Sequence, residues 1–194
     1  MRVILATRNV GKLAEVAAIV GSAAEVAGFE ALAGTELPPE EGATYEQNAL
    51  AKGRAVATAA GVAALADDSG LEVDALDGVP GVRSSRYAGP ACDPKANNEK
   101  LLRELDGIPT CERGARFVCV AALVTRDGRE RLARGEVEGR IAEAPRGTGG
   151  FGYDPLFIPA GYERTFAEMA PEEKNEMSHR TRAFREIKKY LKEI

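Results

Sequence analysis

The sequence predicts an α/β fold built on a mixed β-sheet. Residues 2–6 and 62–66 are short apolar runs with strand character, and each adjoins a segment whose apolar residues recur at helical spacing. Residues 117–125 form a continuous apolar run, which is typical of a central strand. A turn at residues 126–128 and a more polar run at residues 131–141 then predict a strand that returns antiparallel. The sheet is therefore expected to be mixed rather than purely parallel.

The length of 194 residues is enough for one substantial domain or for two small lobes, and we expect a single domain over residues 1–194. The formal net charge of −4 (26 basic minus 30 acidic residues) gives no electrostatic reason to expect nucleic acid or an anionic membrane as the main partner. No apolar run approaches the roughly 20 residues of a membrane span, and the N-terminal apolar stretch is too short for a signal peptide. The three cysteines lack CxxC spacing. We expect a soluble, cytoplasmic protein.

The first polar motif is Thr7-Arg8-Asn9-Val10-Gly11-Lys12, which separates the first strand from the first helix. Helix N-termini offer unpaired N–H groups and a positive dipole end, which suit phosphate. The motif is not a Walker A loop, because Ala6 and Leu13 occupy positions that need glycine and a hydroxyl. A generic strand–helix turn with a surface lysine is the alternative interpretation.

A second motif, Ala66-Asp67-Asp68-Ser69-Gly70, places two adjacent carboxylates at the end of a short apolar run. Two neighbouring acids repel each other unless a cation or a proton intervenes. The alternative is a solvated turn, since Asp, Ser and Gly are ordinary turn formers. We expect Gly70 to let the chain turn away.

Two further acids, Glu40 and Glu41, lie on a loop just before a helix that Thr44 and Gln47 are expected to open as a capping box. These acids could simply favour the helix dipole. Asn48 and Lys52 lie one turn apart on that helix and predict a polar, solvated face.

The third motif is a glycine cluster that contains two aromatic residues, Phe151 and Tyr153. Its four glycines within residues 147–152 allow a backbone to approach a ligand closely, and the two rings are candidates for stacking on a planar base. A flexible linker is the alternative. Near the C-terminus, Ser178 is expected to cap a helix whose first turn holds His179 and Arg180, which suits an anion.

Carboxylates combined with many phosphate donors imply Mg²⁺ bridging a polyphosphate, because Mg²⁺ takes one or two protein carboxylates and keeps phosphate and water as its other ligands. The aromatic loop would hold a base. A nucleoside triphosphate is therefore the expected ligand.

These motifs, together with Asp154-Pro155, resemble the signature blocks of the inosine/xanthosine triphosphate pyrophosphatase (Ham1-like) family, in the family's order and over essentially the whole chain. The resemblance implies hydrolysis of non-standard purine triphosphates such as ITP, dITP and XTP to the monophosphate and pyrophosphate. It also implies a long mixed β-sheet flanked by helices, two lobes with a central nucleotide-binding cleft, and a homodimer.

The resemblance also implies residue roles. Glu40 and Asp68 match the Mg²⁺ ligands, and Asp68 is also the implied acceptor of a proton from the attacking water. The family commonly has Glu-Thr-Gly where this chain has Glu40-Glu41-Gly42, and counting back from Asn48 selects Glu40, although Glu41 stays open. The implied substrate-binding positions are Thr7, Arg8, Asn9, Val10, Gly11, Lys12, Ser69, Phe151, Gly152, Tyr153, Asp154, Lys174, His179 and Arg180.

Two other functions stay open from the sequence. A Maf-like nucleotide pyrophosphatase has the same fold class and reaction but prefers other nucleotides, and a non-catalytic nucleotide sensor would bind the same ligands without turnover. A P-loop phosphotransferase is disfavoured by the failed Walker pattern. The sequence leaves open the ranking of ITP, dITP and XTP, and whether a further ion uses Asp67.

Overall fold

The computed structural model describes residues 1–32 and 34–193 of the chain. In this part of the chain, six strands form one sheet in the hydrogen-bonded order β2-β1-β3-β4-β5-β6. Strand β1 pairs parallel with β2 and with β3, whereas β5 pairs antiparallel with β6, so the predicted mixed sheet is confirmed. The strands are β1 (Arg2–Leu5), β2 (Glu25–Gly28), β3 (Ala64–Val73), β4 (Gly114–Val124), β5 (Glu130–Ile141) and β6 (Phe157–Pro159).

Five α-helices lie within the described residues, and three of them begin at side chains that cap the helix. Asn9, Thr44 and Asp93 each accept a hydrogen bond from a backbone N–H of the first turn, which satisfies a donor that has no partner within the helix. None of the described helices has both the length and the apolar character needed to cross a membrane. The helices are α1 (Val10–Val20), α2 (Tyr45–Ala60), α3 (Pro94–Glu104), α4 (Pro171–Met177) and α5 (His179–Leu191).

The predicted turn at the acidic motif is wrong. Strand β3 does not end at Ala66 but continues through both aspartates to Val73, and Gly70 is a buried strand residue rather than a turning point. A buried strand can carry adjacent carboxylates only if other groups replace the water around them. Basic and amide side chains from two helices do so here for Asp67 and Asp68.

The chain divides into two compact units. Unit 1 comprises the described residues of Met1–Asp68, Cys119–Gly135 and His179–Ile194, and unit 2 comprises Ser69–Val118 and Glu136–Ser178. In unit 1, Leu65 packs in a core with residues of α1 and α5, while the neighbouring Ala66 lies near Gly53 of α2. Because successive strand residues point to opposite faces, α2 covers the face opposite to α1 and α5.

Unit 2 has its own apolar core. Phe117, Phe157 and Phe166 form a group of tilted and stacked rings with centroids 4.6 to 6.0 Å apart. Leu101 and Leu105 of the α3 region pack in the same cluster, as the helical spacing predicts. Two separate cores therefore stabilise the two units, and each unit carries part of the set of predicted functional residues.

Gly135 allows β5 to approach the start of α5 closely, which gives a test of this packing. A Cβ at position 135 would collide with the carbonyl oxygen of His179 and lie 2.5 Å from the backbone nitrogen of Ala183. We expect Gly135→Ala to lower the free energy of unfolding by roughly 1–3 kcal/mol, as overpacking does elsewhere. Urea denaturation followed by circular dichroism measures the change.

The control for this prediction is Leu132→Ala on the same strand, where the side chain is 40% exposed. This substitution is expected to change the free energy of unfolding by about 0.5 kcal/mol or less. Equal effects of the two substitutions would contradict the close packing of β5 against α5.

Candidate active site

A buried lysine joins two of the predicted site carboxylates in unit 1. The Lys52 ammonium lies 2.5 Å from Glu40 Oε1 and 3.7 Å from Asp68 Oδ1. On the same face of α2, Asn48 donates a hydrogen bond of 2.8 Å to Asp68 Oδ2. The prediction of a solvated face is wrong, because Asn48 and Lys52 are only 2% and 5% exposed. Their spacing of four residues was the signal that both reach one target.

The charges in this cluster shift one another's protonation equilibria. Burial alone would lower the pKa of Lys52, but Asp68, Asp67 and Glu40 outweigh burial and raise it. Burial likewise opposes ionisation of Glu40, yet Lys52 holds the pKa of that carboxyl below its usual value. Burial raises the pKa of Asp68 to about 6, with Lys52 opposing the rise and Glu40 adding to it. Asp68 is therefore ionised at neutral pH but accepts a proton more readily than an ordinary aspartate.

The neighbouring Asp67 is the acceptor for two other cations. Its Oδ2 lies 3.0 Å from the Lys12 ammonium and 3.4 Å from Nη2 of Arg180. Burial would raise the pKa of Asp67, but Lys12, Arg180 and Lys52 together hold it well below its usual range. The two adjacent aspartates thus differ in chemistry: Asp67 is a permanent anion, whereas Asp68 is a base of moderate strength.

Glu15 is a functional candidate that the sequence reasoning missed. Its carboxylate lies 2.5 Å from Nη1 of Arg180, a side chain that is 2% exposed. Glu15 follows Lys12 by three residues on α1, so both lie on one helix face, and that spacing was the available signal. The predicted position of His179 and Arg180 in the first turn of α5 is confirmed, and both are buried. Glu15 and Asp67 offset the unfavourable interaction of the Arg180 charge with the helix dipole.

The residues between β1 and α1 form a capped helix start. Thr7 Oγ1 accepts a hydrogen bond of 3.1 Å from the Asn9 backbone N–H, and Asn9 Oδ1 accepts one of 3.1 Å from the Lys12 N–H. Arg8 is exposed, with its guanidinium 5.8 Å from the centroid of the Phe29 ring. Val10 and Gly11 are exposed in the first helical turn. Residues 7–12 therefore lie at the N-terminus of α1, which is the positive end of the helix dipole, as the sequence predicts.

Unit 2 holds a second group of predicted residues around a buried ion pair. The Lys174 ammonium lies 2.7 Å from Asp154 Oδ2, and both side chains are at most 5% exposed. The same carboxylate oxygen accepts a hydrogen bond of 2.8 Å from the Phe151 N–H. Lys174 Nζ also lies 4.8 Å from the centroid of the Phe151 ring, within the range of a cation–π interaction. These contacts fix the glycine loop, so the flexible-linker interpretation is not supported.

Tyr153 departs from its predicted role. Its ring belongs to the core of unit 2 and is 5% exposed, and its hydroxyl donates a hydrogen bond of 2.9 Å to the Ser84 carbonyl. Stacking of the Tyr153 ring on a base is therefore a wrong prediction, because the core already covers that ring. Asn98, which the sequence did not indicate as a functional candidate, donates a hydrogen bond of 3.1 Å to the Gly152 carbonyl. Ser69 is half-buried and follows Asp68 directly in β3.

Among the described residues, no group of three or more His, Cys, Asp or Glu side chains is arranged to hold a metal ion. Mg²⁺ needs fewer protein ligands than that, because it usually keeps several waters and binds through one or two carboxylates. Glu40 and Asp68 converge on one cation, the Lys52 ammonium. This pair of oxygen donors fits the coordination chemistry of Mg²⁺.

Comparisons with known proteins extend over the whole chain. A family model described as the Ham1 family matches residues 3–190. The chain is 49% identical over 197 residues to the dITP/XTP pyrophosphatase of Elusimicrobium minutum, covering 99% of this chain and 100% of that protein. It is 46% identical over 196 residues to the dITP/XTP pyrophosphatase of Streptomyces avermitilis, covering 100% and 98% of the two chains.

Solved structures show the same fold. A HAM1 protein from Coxiella burnetii is similar with a TM-score of 0.89 and 38% identity, covering 100% of both chains. The Ham1 protein of Staphylococcus aureus is similar with a TM-score of 0.87 and 37% identity, covering 100% of this chain and 99% of that one. The α/β fold with a mixed sheet is thus shared along the entire chain.

The ion pairs of Asp67 give a pH-dependent prediction. Asp67→Asn leaves Lys12 and Arg180 without this carboxylate, and we expect it to lower the free energy of unfolding at pH 7 by roughly 3–5 kcal/mol. Because the folded-state pKa of Asp67 is depressed, its contribution is complete above the unfolded pKa of about 4 and is lost below it. The difference between the parent chain and the variant should be constant from pH 8 to pH 5 and shrink below about pH 4.

Urea denaturation at a series of pH values measures this difference. The matched control is Asp127→Asn, which disrupts an exposed pair with Arg129 at 2.9 Å and should leave the denaturation midpoint almost unchanged. A difference for Asp67→Asn that grows as the solution is acidified would contradict the assignment.

Proposed function

The chain belongs to the Ham1 family, and on that premise we propose that it hydrolyses non-standard purine nucleoside triphosphates, namely ITP, dITP and XTP, to the monophosphate and pyrophosphate. The relatives described above carry the name dITP/XTP pyrophosphatase. The observation that carries the proposal is the cluster of Asp68, Lys52 and Glu40, which places a base, a cation and a second carboxylate together. Such an enzyme removes these nucleotides from the nucleotide pool.

We propose Mg²⁺ as the cofactor, held by Glu40 and Asp68. When bound, the ion supplies positive charge that stabilises negative charge on phosphate oxygens and lowers the pKa of water. Four carboxylates (Glu15, Glu40, Asp67 and Asp68) contact three side-chain cations (Lys12, Lys52 and Arg180) in unit 1, so these seven groups carry a net charge of 3 − 4 = −1. This excess of negative charge supports the binding of a cation.

The chain's own residues supply the remaining chemistry. Asp68 accepts the proton of the attacking water, as a carboxylate positioned beside the reacting group can do. Lys12, Lys52 and Arg180 provide positive charge for the triphosphate as negative charge develops on it. The exposed amides at the start of α1 add donors for phosphate oxygens.

We propose that Phe151, Asp154 and Lys174 of unit 2 recognise the base of the nucleotide. Phe151 is half-buried and offers a ring for stacking, while Lys174 and Asp154 offer a buried donor and a buried acceptor. A 6-oxo purine can accept a hydrogen bond where adenine carries an amino group. The amino group of adenine would offer Lys174 a donor instead of an acceptor, and such mismatches discriminate between substrates.

A homodimer in the cytoplasm completes the proposal, on the strength of the family resemblance. Cys92 and Cys111 are exposed free thiols, which suit a reducing compartment. Sedimentation velocity would measure the oligomeric state directly.

The substrate class is tested by pyrophosphate release from ITP, XTP, dATP, dGTP, dTTP and UTP, each with Mg²⁺ and with excess EDTA. We expect release from ITP and XTP with Mg²⁺, and a loss of that release with EDTA. Cleavage of dATP and dGTP as fast as ITP would contradict selectivity for non-standard purines. A preference for dTTP or UTP would indicate a Maf-like specificity, and binding of ITP without release would indicate a sensor.

The role of Asp68 is tested by Asp68→Asn. We expect kcat for ITP to fall by roughly 10²–10⁴-fold, because a positioned general base contributes an effect of that size. Circular dichroism should show a folded protein, since an uncharged amide avoids the desolvation cost of a buried carboxylate. The control is Asp127→Asn, whose carboxylate is 60% exposed in its pair with Arg129, and this substitution should keep kcat within about threefold. Near-normal turnover of Asp68→Asn would remove Asp68 as the base.

A further inference from the structure

Asn48 connects two parts of the candidate site in unit 1. Its Nδ2 donates a hydrogen bond of 2.8 Å to Asp68 Oδ2, and its Oδ1 accepts one of 2.8 Å from the backbone N–H of Gly42. Gly42 lies two residues after Glu40 on the loop that precedes α2. One side chain, only 2% exposed, therefore links Asp68 of β3 to the loop that carries Glu40.

The chemistry of the two partners explains why an amide occupies this position. An ionised carboxylate only accepts hydrogen bonds, and a backbone N–H only donates them. Asn48 offers both a donor and an acceptor on one planar group, so it satisfies both partners at once. Leucine, of similar size, would satisfy neither, and a buried polar group that loses its partner is costly.

The loop side of this connection is also tightly fitted. A Cβ at position 42 would lie 2.6 Å from Asn48 Oδ1 and 2.9 Å from Gln47 Cβ, so only glycine lets the loop approach the helix this closely. Gln47 Oε1 accepts a further hydrogen bond of 2.8 Å from the Ala43 N–H, which fixes the next residue of the loop. The loop after Glu40 is therefore attached to the first turn of α2.

The Asp68 side of the connection controls the orientation of the carboxylate. Asn48 contacts Oδ2, while Lys52, one turn further along α2, lies 3.7 Å from Oδ1. Lys52 also contacts Glu40 at 2.5 Å. Each oxygen of Asp68 thus faces a different side chain of α2, which restricts rotation of the carboxylate.

We propose that Asn48 is a positioning residue that holds Asp68 and the Glu40 loop in the arrangement that binds the metal ion. This inference rests on the proposed role of Glu40 and Asp68 as magnesium ligands. Residues that orient metal ligands by hydrogen bonding typically change metal affinity by 10- to 100-fold when they are replaced. The contribution of Asn48 is therefore measurable separately from the chemical step.

The test compares Asn48→Leu with the parent chain in two measurements. The first is a titration of the nucleotide-free protein with Mn²⁺, followed by the electron paramagnetic resonance signal of the free ion. The second is the Mg²⁺ dependence of pyrophosphate release from ITP. We expect the Mn²⁺ dissociation constant and the Mg²⁺ concentration for half-maximal activity each to rise by roughly 10-fold or more. The KM for ITP at saturating Mg²⁺ should stay within about twofold.

Asn97→Leu is the matched control. Asn97 lies on α3 and is 4% exposed. It donates a hydrogen bond of 2.9 Å to the Ser85 carbonyl and accepts one of 2.7 Å from the Ala88 N–H, so it also connects a loop to a helix. It contacts no predicted metal ligand in these hydrogen bonds. We expect it to lower the thermal midpoint as Asn48→Leu does but to leave Mn²⁺ affinity unchanged.

Gly42→Ala keeps the experiment decisive if Asn48→Leu fails to fold. It alters only the loop side of the connection, and we expect a rise in the Mn²⁺ dissociation constant of about threefold or more. Parent-like Mn²⁺ affinity in the folded Asn48 or Gly42 variant would overturn the proposal, as would an equal loss in Asn97→Leu. If the parent chain itself binds no Mn²⁺, the proposed role of Glu40 and Asp68 as magnesium ligands fails, and the proposal for Asn48 fails with it. If the parent chain binds Mn²⁺ and the variants bind it equally well, only the role of Asn48 is overturned.

Discussion

The ammonium of Lys52 is buried between Glu40 and Asp68, and unit 1 depends on charge pairs of this kind. Strand β3 carries two adjacent carboxylates into the interior, where their desolvation would oppose folding unless cations replaced the lost water. Helix α2 supplies Lys52, helix α1 supplies Lys12, and helix α5 supplies Arg180. The packing of three helices around one strand is therefore tied to the neutralisation of its two acids.

The same charge pairs fix the cations of the candidate site in place. A lysine or arginine held by a carboxylate is already ordered and dehydrated, so it loses little further freedom when it meets a phosphate oxygen. The two adjacent aspartates differ in pKa. Two cations lie close to Asp67 and lower its pKa. Burial and the negative charge of Glu40 raise the pKa of Asp68, although Lys52 and the hydrogen bond from Asn48 oppose the rise. A strong anion beside a moderate base is a recurring arrangement in hydrolytic sites. In unit 1, the same contacts stabilise the buried acids and set their different basicities.

In unit 2, side-chain contacts hold a glycine-rich loop in one conformation. Asp154 accepts hydrogen bonds from the Phe151 N–H and from Lys174, while Asn98 fixes the Gly152 carbonyl. Tyr153 points into the core and anchors the loop there. Glycine supplies the unusual dihedral angles of this segment, with φ of +68° at residue 150 and +63° at residue 152, and side-chain contacts supply its rigidity.

The sequence by itself determined the α/β class, the mixed sheet, the helix cap at Thr44 and the four motifs, because periodicity and capping are local properties that a linear chain displays. Only the tertiary structure decided that β3 runs through the acidic motif, that Asn48 and Lys52 are buried, and that Glu15 pairs with Arg180. Turn-forming residues and polar helix faces normally indicate solvent. Here they lie against oppositely charged or hydrogen-bonding groups distant in the chain. The spacing of residues on a helix shows that two side chains share a face, but it does not show which distant groups that face meets.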